Sequence, residues 1–138
     1  MYLHSLKETP VTFSHEDLLP FNVIINEQQV VFIDLEVSGI LAYPTMLARL
    51  IAHTSPKEDA LFYLSESDYH SAIEYYYNNF IKEQGISKDV YLKTMNLFIY
   101  NELIEWIYVY KKHGYSPNSF YNNYYKKALS KRDEILNK

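Results

Sequence analysis

The chain has 138 residues, of which 48% are hydrophobic and 22% charged, with a formal net charge of −4 and no cysteine. This length and balance are typical of one globular domain, and the negative charge argues against nucleic-acid binding, which depends on a basic patch. The lack of cysteine excludes disulfides, thiolate metal sites and a cysteine nucleophile. Because the sequence shows neither a signal peptide nor an apolar run of about 18 residues, we expect a cytoplasmic protein that does not contact a membrane.

The segment from Val11 to Leu35 is predicted to form strands. It begins with the β-prone stretch VTFSH, and the apolar runs NVIIN and VVFID follow, separated by the polar EQQ. Two such runs with a short polar connection predict a β-hairpin in which residues 22–26 pair with residues 30–34. Pro20 breaks any helix before the hairpin and predicts a loop that enters its first strand.

Four helices are predicted after Tyr43. The first starts near Pro44, the second spans residues 67–84, the third runs to about residue 113, and the fourth follows it. The breaks are marked by the stretch HTSPKED and by Gly85, Ser87, Gly114, Ser116 and Pro117. We therefore expect an α+β fold that is mostly α: a small β layer in residues 1–36 and a helical bundle in residues 43–138, forming a single domain of residues 1–138.

The third and fourth helices differ in polarity. In the third, the stripe Thr94, Asn101, Glu105 and Lys112 is polar and nearly everything else from residue 95 to 110 is apolar or aromatic. Such a helix is usually buried at the centre of a bundle. The fourth ends in KKALSKRDEILNK, which we expect to be solvated.

A chemistry-bearing pattern overlaps the predicted hairpin. His15, Asp17 and Asn22 form H-x-D-x-x-x-x-N, and Asp34 ends the opposite strand, so Asn22 and Asp34 should meet at one end of the hairpin. Such a set suits phosphoryl transfer: one carboxylate orients the acceptor hydroxyl, and an amide oxygen with a second carboxylate holds Mg²⁺. The alternative is that these Asp and Asn side chains are structural and accept hydrogen bonds from backbone amides in turns and at strand ends.

The stretches SHEDLLPFNVII and VVFIDLE resemble the catalytic and metal-binding segments of the kinase-like small-molecule phosphotransferases, the family of aminoglycoside phosphotransferases and choline or ethanolamine kinases. The resemblance covers the C-terminal lobe of that family and implies a protein-kinase-like C-lobe fold. It implies that Asp17 is catalytic, that His15 supports the catalytic loop, and that Asn22 and Asp34 bind Mg²⁺ and with it ATP. Glu36 is closer to the choline-kinase-like branch.

Two departures from the family pattern affect what we expect. The family's N-terminal lobe, with its phosphate-covering loop and lysine–glutamate pair, has no counterpart before Val11, and the three glycines form no glycine-rich loop. We therefore expect this chain to be inactive by itself. The family often shows D-L-A after the metal segment, where YPTMLARL places Met46 at the aspartate position.

Other polar and aromatic residues are expected to be structural. His4, His53, His70 and His113 lack ligand spacing and are predicted at the surface or at helix ends, and Glu16 is expected to face solvent. Trp106 is predicted in the core. The tyrosine clusters at residues 75–77 and 121–125 could form a cation-binding aromatic cage, but we expect them in the core or at an interface.

Two functions are compatible with these observations. The first is the C-terminal catalytic lobe of an ATP-dependent phosphotransferase, which moves the γ-phosphoryl group to a hydroxyl of a small cationic acceptor, aminoglycoside or choline-like, with Mg²⁺ and a separate N-terminal lobe as partners. The alternative is a truncated, catalytically silent remnant that acts as a dimerising interaction module, with a second copy of the chain as its partner.

Overall fold

The computed structural model describes residues 2–55, 62–114 and 119–137. The helices are α1 (Tyr2–Glu8), α2 (Thr45–His53), α3 (Glu66–Tyr76), α4 (Lys88–Lys112) and α5 (Ser119–Leu136). The strands are β1 (Val11–Ser14), β2 (Val23–Ile25), β3 (Val30–Phe32), β4 (Gly39–Ala42), β5 (Thr54–Ser55) and β6 (Phe62–Tyr63). The predicted α+β fold, mostly helical with a small β layer, is confirmed; the single domain stays a prediction.

The predicted hairpin is present as β2 and β3. The two strands are antiparallel with Val23 opposite Phe32, and the turn between them is closed by Asn26 Oδ1, which accepts hydrogen bonds from the backbone of Gln28 and Gln29. The strands are shorter than predicted. Residues 20–22 form a 3₁₀ turn that starts at a proline, and Asp34 leaves the strand in a left-handed conformation with φ 59°.

A second antiparallel pair was not predicted. β1 pairs with β4 so that Val11 lies opposite Ala42 and Ser14 opposite Gly39. The polypeptide between these strands, residues 15–38, therefore leaves and returns at the same point. This pair joins the chemistry-bearing segment to the bundle.

Local capping signals explain the ends of α3 and α4. Ser65 Oγ and Ser87 Oγ accept hydrogen bonds from backbone amides three residues on, which satisfies the first turn of each helix. Gly85 and Gly114 follow with φ of +75° and +66°, a conformation that glycine adopts without a Cβ clash. The predicted second helix continues beyond α3 as a π-helical segment (Tyr77–Ile81) and a 3₁₀ turn (Lys82–Gln84). The predicted fourth helix forms as α5, whereas its proposed start at Ser116 and Pro117 lies outside the described residues.

The core lies between α4 and its neighbours α2 and α5. Tyr91, Met95, Ile99 and Leu103 of α4 are essentially inaccessible and follow one another at intervals of four residues, so they share one face. The expectation that α4 is buried most of the way round is wrong for its second half, where Ile104 and Tyr108 are exposed. This half borders solvent on the side away from α2.

The charged end of α5 is less solvated than predicted. Ala128 is buried, and the Lys127 ammonium donates to the backbone carbonyls of Ile51 and Ala52 at 3.4 and 3.0 Å and to that of Thr54. Lys131 is mostly buried and pairs with Glu134 at 2.9 Å. The long side chain of Lys127 thus donates to carbonyls at the end of α2, which the charge pattern alone did not reveal. In the described parts of the chain, no helix combines the length and apolarity needed to cross a membrane.

Candidate active site

Asp17 and Asn22 are held together in the turn after β1. Asn22 Nδ2 donates to the backbone carbonyl of Asp17 at 2.9 Å and to Asp17 Oδ2 at 3.0 Å, and Asn22 is only 6% exposed. Because an ionised carboxylate can only accept hydrogen bonds, the amide nitrogen faces Asp17 and Oδ1 is the remaining acceptor of Asn22. The structure thus brings two of the four predicted site residues into direct contact.

His15 makes a hydrogen bond to the backbone of the residue that precedes Asp34. His15, which is buried, donates from Nε2 to the carbonyl of Ile33 at 2.9 Å, and Ile33 immediately precedes Asp34. Asp34 takes a left-handed conformation that most side chains avoid. Among the described residues no hydrogen bond or ion pair holds its carboxylate. His15 therefore contacts the backbone beside Asp34, and its assignment as a supporting residue stays a prediction.

Arg49 of α2 connects Asp17 to α4. Its Nη2 and Nε atoms donate to Asp17 Oδ1 at 2.8 and 3.2 Å, and its Nη1 donates to Glu102 Oε1. The Arg49 side chain is 17% exposed, so this charge-assisted contact is screened less by solvent than a surface ion pair. Asp17 is fixed from two sides, by Arg49 and by Asn22.

One oxygen of Glu102, Oε1, accepts hydrogen bonds from three side chains. Besides Arg49, Trp106 Nε1 donates to Glu102 Oε1 at 3.0 Å and His53 Nε2 donates to it at 3.3 Å. Since Glu102 only accepts, the His53 proton is on Nε2, and Nδ1 of the neutral ring accepts from the Tyr124 hydroxyl at 2.7 Å. A continuous set of contacts therefore runs from the Asp17 turn to α5.

Burial and neighbouring charges determine the protonation states of His53, Glu102 and Arg49. Burial lowers the pKa of His53 below its ordinary value, although the hydrogen bond to Glu102 opposes this. Burial acts to raise the pKa of Glu102, but the His53 hydrogen bond and the Arg49 charge outweigh it, so that pKa is lowered. Burial likewise opposes the charge on Arg49, yet Glu102 and Asp17 raise its pKa. We infer a charged Arg49–Glu102 pair beside a neutral His53.

Arg49 and Glu102 border a cleft of about 300 Å³. Asp17 and Asp34 are both on its wall, whereas His15 and Asn22 are buried and are not among its described lining residues. Of the nine described residues lining the cleft, six are acidic and one, Arg49, is basic. They are Glu16, Asp17, Asp34, Glu36, Val37, Arg49, Glu102, Glu105 and Trp106.

Asp34 and Asn22 carry side-chain oxygens of the type that Mg²⁺ prefers as ligands. The Asp34 carboxylate has no partner among the described residues, Asn22 Oδ1 remains an acceptor, and both lie at one end of the hairpin, where the Ile33 amide donates to the Asn22 carbonyl. In the described parts of the chain, no three His, Asp or Glu side chains are placed to share a metal ion. A pair of oxygen ligands still suits Mg²⁺, which usually completes its shell with water and substrate phosphates.

The sequence reading missed Arg49, Glu102 and His53 as site residues. His53 ends α2 as predicted, and it is buried there under Trp106 and Tyr124, with 4% of its surface exposed. Trp106, predicted in the core, packs on the core and also borders the cleft. One signal was present: Arg49 and His53, like Glu102 and Trp106, are spaced by four residues in otherwise apolar helices and so share a face.

A larger cavity of about 610 Å³ lies between β1, α2 and α3. Its described lining contains no charged side chain and is dominated by aromatic and aliphatic groups such as Phe13, Tyr75 and Phe80. It offers neither an acid–base group nor a phosphate or metal ligand. The acidic cleft is therefore the candidate active site.

Comparison with known proteins supports the fold. No family model and no curated protein matches the chain. The structure is similar to that of Plasmodium vivax ethanolamine kinase, with a TM-score of 0.56 and 18% identity over 94% of this chain and 36% of that chain. The chain thus spans about a third of the length of that kinase. At this identity the likeness concerns the fold, and it agrees with the kinase-like fold predicted from the two motifs.

Proposed function

We propose that these residues form the catalytic lobe of a kinase-like phosphotransferase, which transfers the γ-phosphoryl group of ATP to a hydroxyl of a small acceptor. The observation that carries the proposal is that two carboxylates lie on the wall of one cleft: Asp17, which is held by Arg49 and Asn22, and Asp34, which has no partner among the described residues. The fold of the chain, similar to part of an ethanolamine kinase, supports the same assignment.

Asp17 would orient the acceptor hydroxyl and take its proton. Arg49 uses Oδ1 of this carboxylate twice and Asn22 uses Oδ2 once. Since a carboxylate offers about four acceptor positions, one position on Oδ2 is left for a hydroxyl donor. General-base help of this kind contributes roughly 10²–10⁴-fold to the rate.

Asp34 and Asn22 would hold Mg²⁺ together with the phosphates of ATP. The ion would supply charge neutralisation for the transferring phosphoryl group. Asp34 is suited to this because nothing among the described residues competes for its carboxylate. His15, by donating to the Ile33 carbonyl, would keep the backbone before Asp34 in place.

The charges of the cleft favour a cationic acceptor. Glu16, Glu36 and Glu105 are exposed at its rim, and a cleft lined by one sign of charge raises the local concentration of the opposite ion. Burial raises the pKa of Glu105, and the neighbouring charges of Glu102 and Glu16 add to this rise while Arg49 opposes it. We propose a small amine-bearing alcohol, aminoglycoside or choline-like, as the acceptor.

Turnover would need a second lobe that covers the nucleotide, because a cleft open on one side does not exclude water from the reacting groups. This lobe could be supplied by an upstream segment or by a separate chain. The apolar surface of residues 11–40, described below, is where we place it.

The test is calorimetric titration of ATP with and without Mg²⁺. The wild-type chain should release heat only with Mg²⁺, and Asp34→Asn should abolish it, because asparagine tolerates the left-handed backbone but lacks the charge. Asp133→Asn, at an exposed position of α5, is the matched control and should bind like wild type. Equal binding by wild type and Asp34→Asn would contradict the metal assignment.

A second candidate function is a dimerising interaction module without catalysis. It is favoured by one observation: twelve large apolar side chains between residues 11 and 40 are exposed. They are Val11, Phe13, Phe21, Ile24, Ile25, Val30, Val31, Phe32, Ile33, Leu35, Val37 and Ile40. Patches of this kind usually mark an interaction site, and here the occupant would be a second copy of the chain.

A further inference from the structure

Arg49 lies in an environment that would suit a bound organic cation. Its guanidinium carbon is 5.0 Å from the centre of the Trp106 ring, and its nitrogens contact Asp17 Oδ1 at 2.8 Å and Glu102 Oε1. An aromatic face flanked by carboxylates is the arrangement with which proteins bind alkylammonium and guanidinium groups. In this protein the occupant is a side chain of the protein itself.

The surroundings of Arg49 are held by contacts that do not involve it. Trp106 Nε1 and His53 Nε2 both orient Glu102, His53 is in turn held by Tyr124, and Asn22 orients Asp17. Three separate parts of the chain, the turn after β1, the end of α2 and the middle of α4, thus position the two carboxylates and the indole. The guanidinium of Arg49 is not a partner in any of these contacts.

We propose that Asp17, Glu102 and Trp106 form a cation subsite that Arg49 occupies, and that Arg49 thereby determines specificity by excluding alkylammonium groups from the position next to Asp17. This deepens the proposed function and rests on it for the role of Asp17. The ammonium group of an acceptor is then restricted to the rim carboxylates, Glu16, Glu36 and Glu105, at the open side of the cleft. Arg49 therefore limits which cationic alcohols can present a hydroxyl to Asp17.

The test uses Trp106, the single tryptophan of the chain, as a reporter. Arg49→Ala and wild type are titrated with methylguanidinium chloride and with tetramethylammonium chloride while the tryptophan fluorescence is recorded. Sodium chloride at equal ionic strength is the control for screening. We expect a saturable change for Arg49→Ala in the millimolar range and none for wild type. Arg49→Lys should stay unresponsive because lysine keeps a cation at this position.

A second variant tests the carboxylate. Arg49→Ala combined with Glu102→Gln should bind the two cations at least tenfold more weakly than Arg49→Ala, because one of the two anions is gone. Equal responses of wild type and Arg49→Ala, or no response from a folded Arg49→Ala, would overturn the proposal.

Arg49→Ala leaves two carboxylates without their partner, so its folding is followed by circular dichroism in the same titrations. If it unfolds in plain buffer, recovery of helicity at millimolar methylguanidinium but not at matched sodium chloride supports the subsite, and equal recovery in both overturns it. No ATP is present in these measurements. Cation binding by Arg49→Ala without Mg²⁺–ATP binding by the wild-type chain would support the subsite and contradict the phosphotransferase. Mg²⁺–ATP binding without cation binding would support the phosphotransferase and overturn the subsite.

Discussion

At the scale of single residues, Glu102 decides the charge state of the site. Arg49 and His53 both donate to the same Glu102 oxygen, and one carboxylate cannot neutralise two cations in a partly buried position. Arg49 keeps its charge, whereas burial and the neighbouring Arg49 disfavour a charge on His53. His53 is not among the described residues that line the cleft, but its protonation is linked to Arg49, which holds Asp17 in place.

This linkage predicts how stability depends on pH. The pKa of His53 is lowered from 6.5 in the folded chain, so as the pH falls below 6.5 the unfolded chain binds a proton that the folded chain does not. The free energy of unfolding should then decrease, by at most about 1.4 kcal/mol per pH unit from this group. Urea denaturation at pH 7.5, 6.5 and 5.5 measures it.

The matched variants for this measurement are His53→Gln and His70→Gln. His53→Gln should reduce the pH dependence between 7.5 and 5.5, whereas His70→Gln, at an exposed position of α3, should leave it unchanged. Identical slopes in wild type and His53→Gln would contradict the assignment of a neutral, buried His53.

At the scale of elements, α5 stabilises the end of α2 through Lys127. The last carbonyls of a helix have no partner within it. Here the Lys127 ammonium donates to the carbonyl of Ala52, and also to that of Ile51, which accepts from the backbone amide of Thr54 as well. Its position is costly, because burial and the nearby Lys131 lower the pKa of Lys127 to about 8. The contact therefore joins two helices at the expense of a partly desolvated charge.

We expect Lys127 to produce a pH dependence of the same origin and sign at alkaline pH, because burial lowers the pKa of this basic group as well. Between its folded pKa of about 8 and its ordinary value of 10.5, the unfolded chain binds more protons than the folded chain. The free energy of unfolding should therefore gain about 2 kcal/mol from this group between pH 8 and pH 10. Lys127→Met should lack this gain, and Lys126→Met, at the exposed neighbouring position, should retain it.

The measurement is urea denaturation at pH 8, 9 and 10. The variants are compared with wild type at each pH, because burial raises the pKa of Tyr43, Tyr76, Tyr91 and Tyr124 above the ordinary value of 10, so the unfolded chain loses their protons first as the pH approaches 10 and stability falls in all variants. If Lys127→Met showed the same rise as wild type, the low pKa of Lys127 would be wrong.

The elements differ in how far the sequence predicts them. The limits of α4 follow from its neighbours in sequence, Ser87 before it and Gly114 after it, and they were predicted closely. The start of α3 was also predicted closely, but α3 ends at Tyr76, and the rest of the predicted helix to residue 84 is π-helical and 3₁₀. The hairpin followed from two apolar runs and a polar turn. The β1–β4 pair was missed because its strands are 24 residues apart between Ser14 and Gly39, with no local signal for the partner.

The candidate site divides in the same way. Asp17, Asn22 and Asp34 fall in two short motifs, and their approach follows from the hairpin between them. Arg49 and Glu102 are 53 residues apart and meet only because α2 packs on α4. A sequence pattern shows that each helix has a polar pair at a spacing of four, but it does not show that the two pairs face each other.

At the scale of the whole molecule, the β layer differs from the bundle in its exposure. The bundle buries its apolar face around α4, whereas the hairpin exposes both strands, with Ile25 72% and Val30 55% exposed. Among the described residues, each strand of the hairpin pairs only with the other, so each has one unpaired edge. Unpaired apolar edges readily add a further strand, so this surface is suited to receive another polypeptide.

We therefore expect the chain to self-associate when no other lobe covers this surface. Sedimentation velocity over a hundredfold range of concentration should show a dimer that dissociates on dilution. Ile25→Lys should weaken the dimer, because a charge on the exposed edge opposes strand pairing. Leu136→Lys, an equally exposed apolar position at the end of α5, is the control and should not change it. A wild-type chain that stays monomeric at high concentration would exclude the dimerising module.

The antiparallel pair β1–β4 also makes the chain modular. Ser14 and Gly39 lie directly opposite each other, a distance that a two-residue turn such as Asn-Gly bridges in an ordinary hairpin. Residues 15–38 could therefore be exchanged for such a turn, and the equivalent segment of another protein could be grafted at the same junction. The helical bundle is then a scaffold, and residues 15–38 are a segment whose two ends the β1–β4 pair holds side by side.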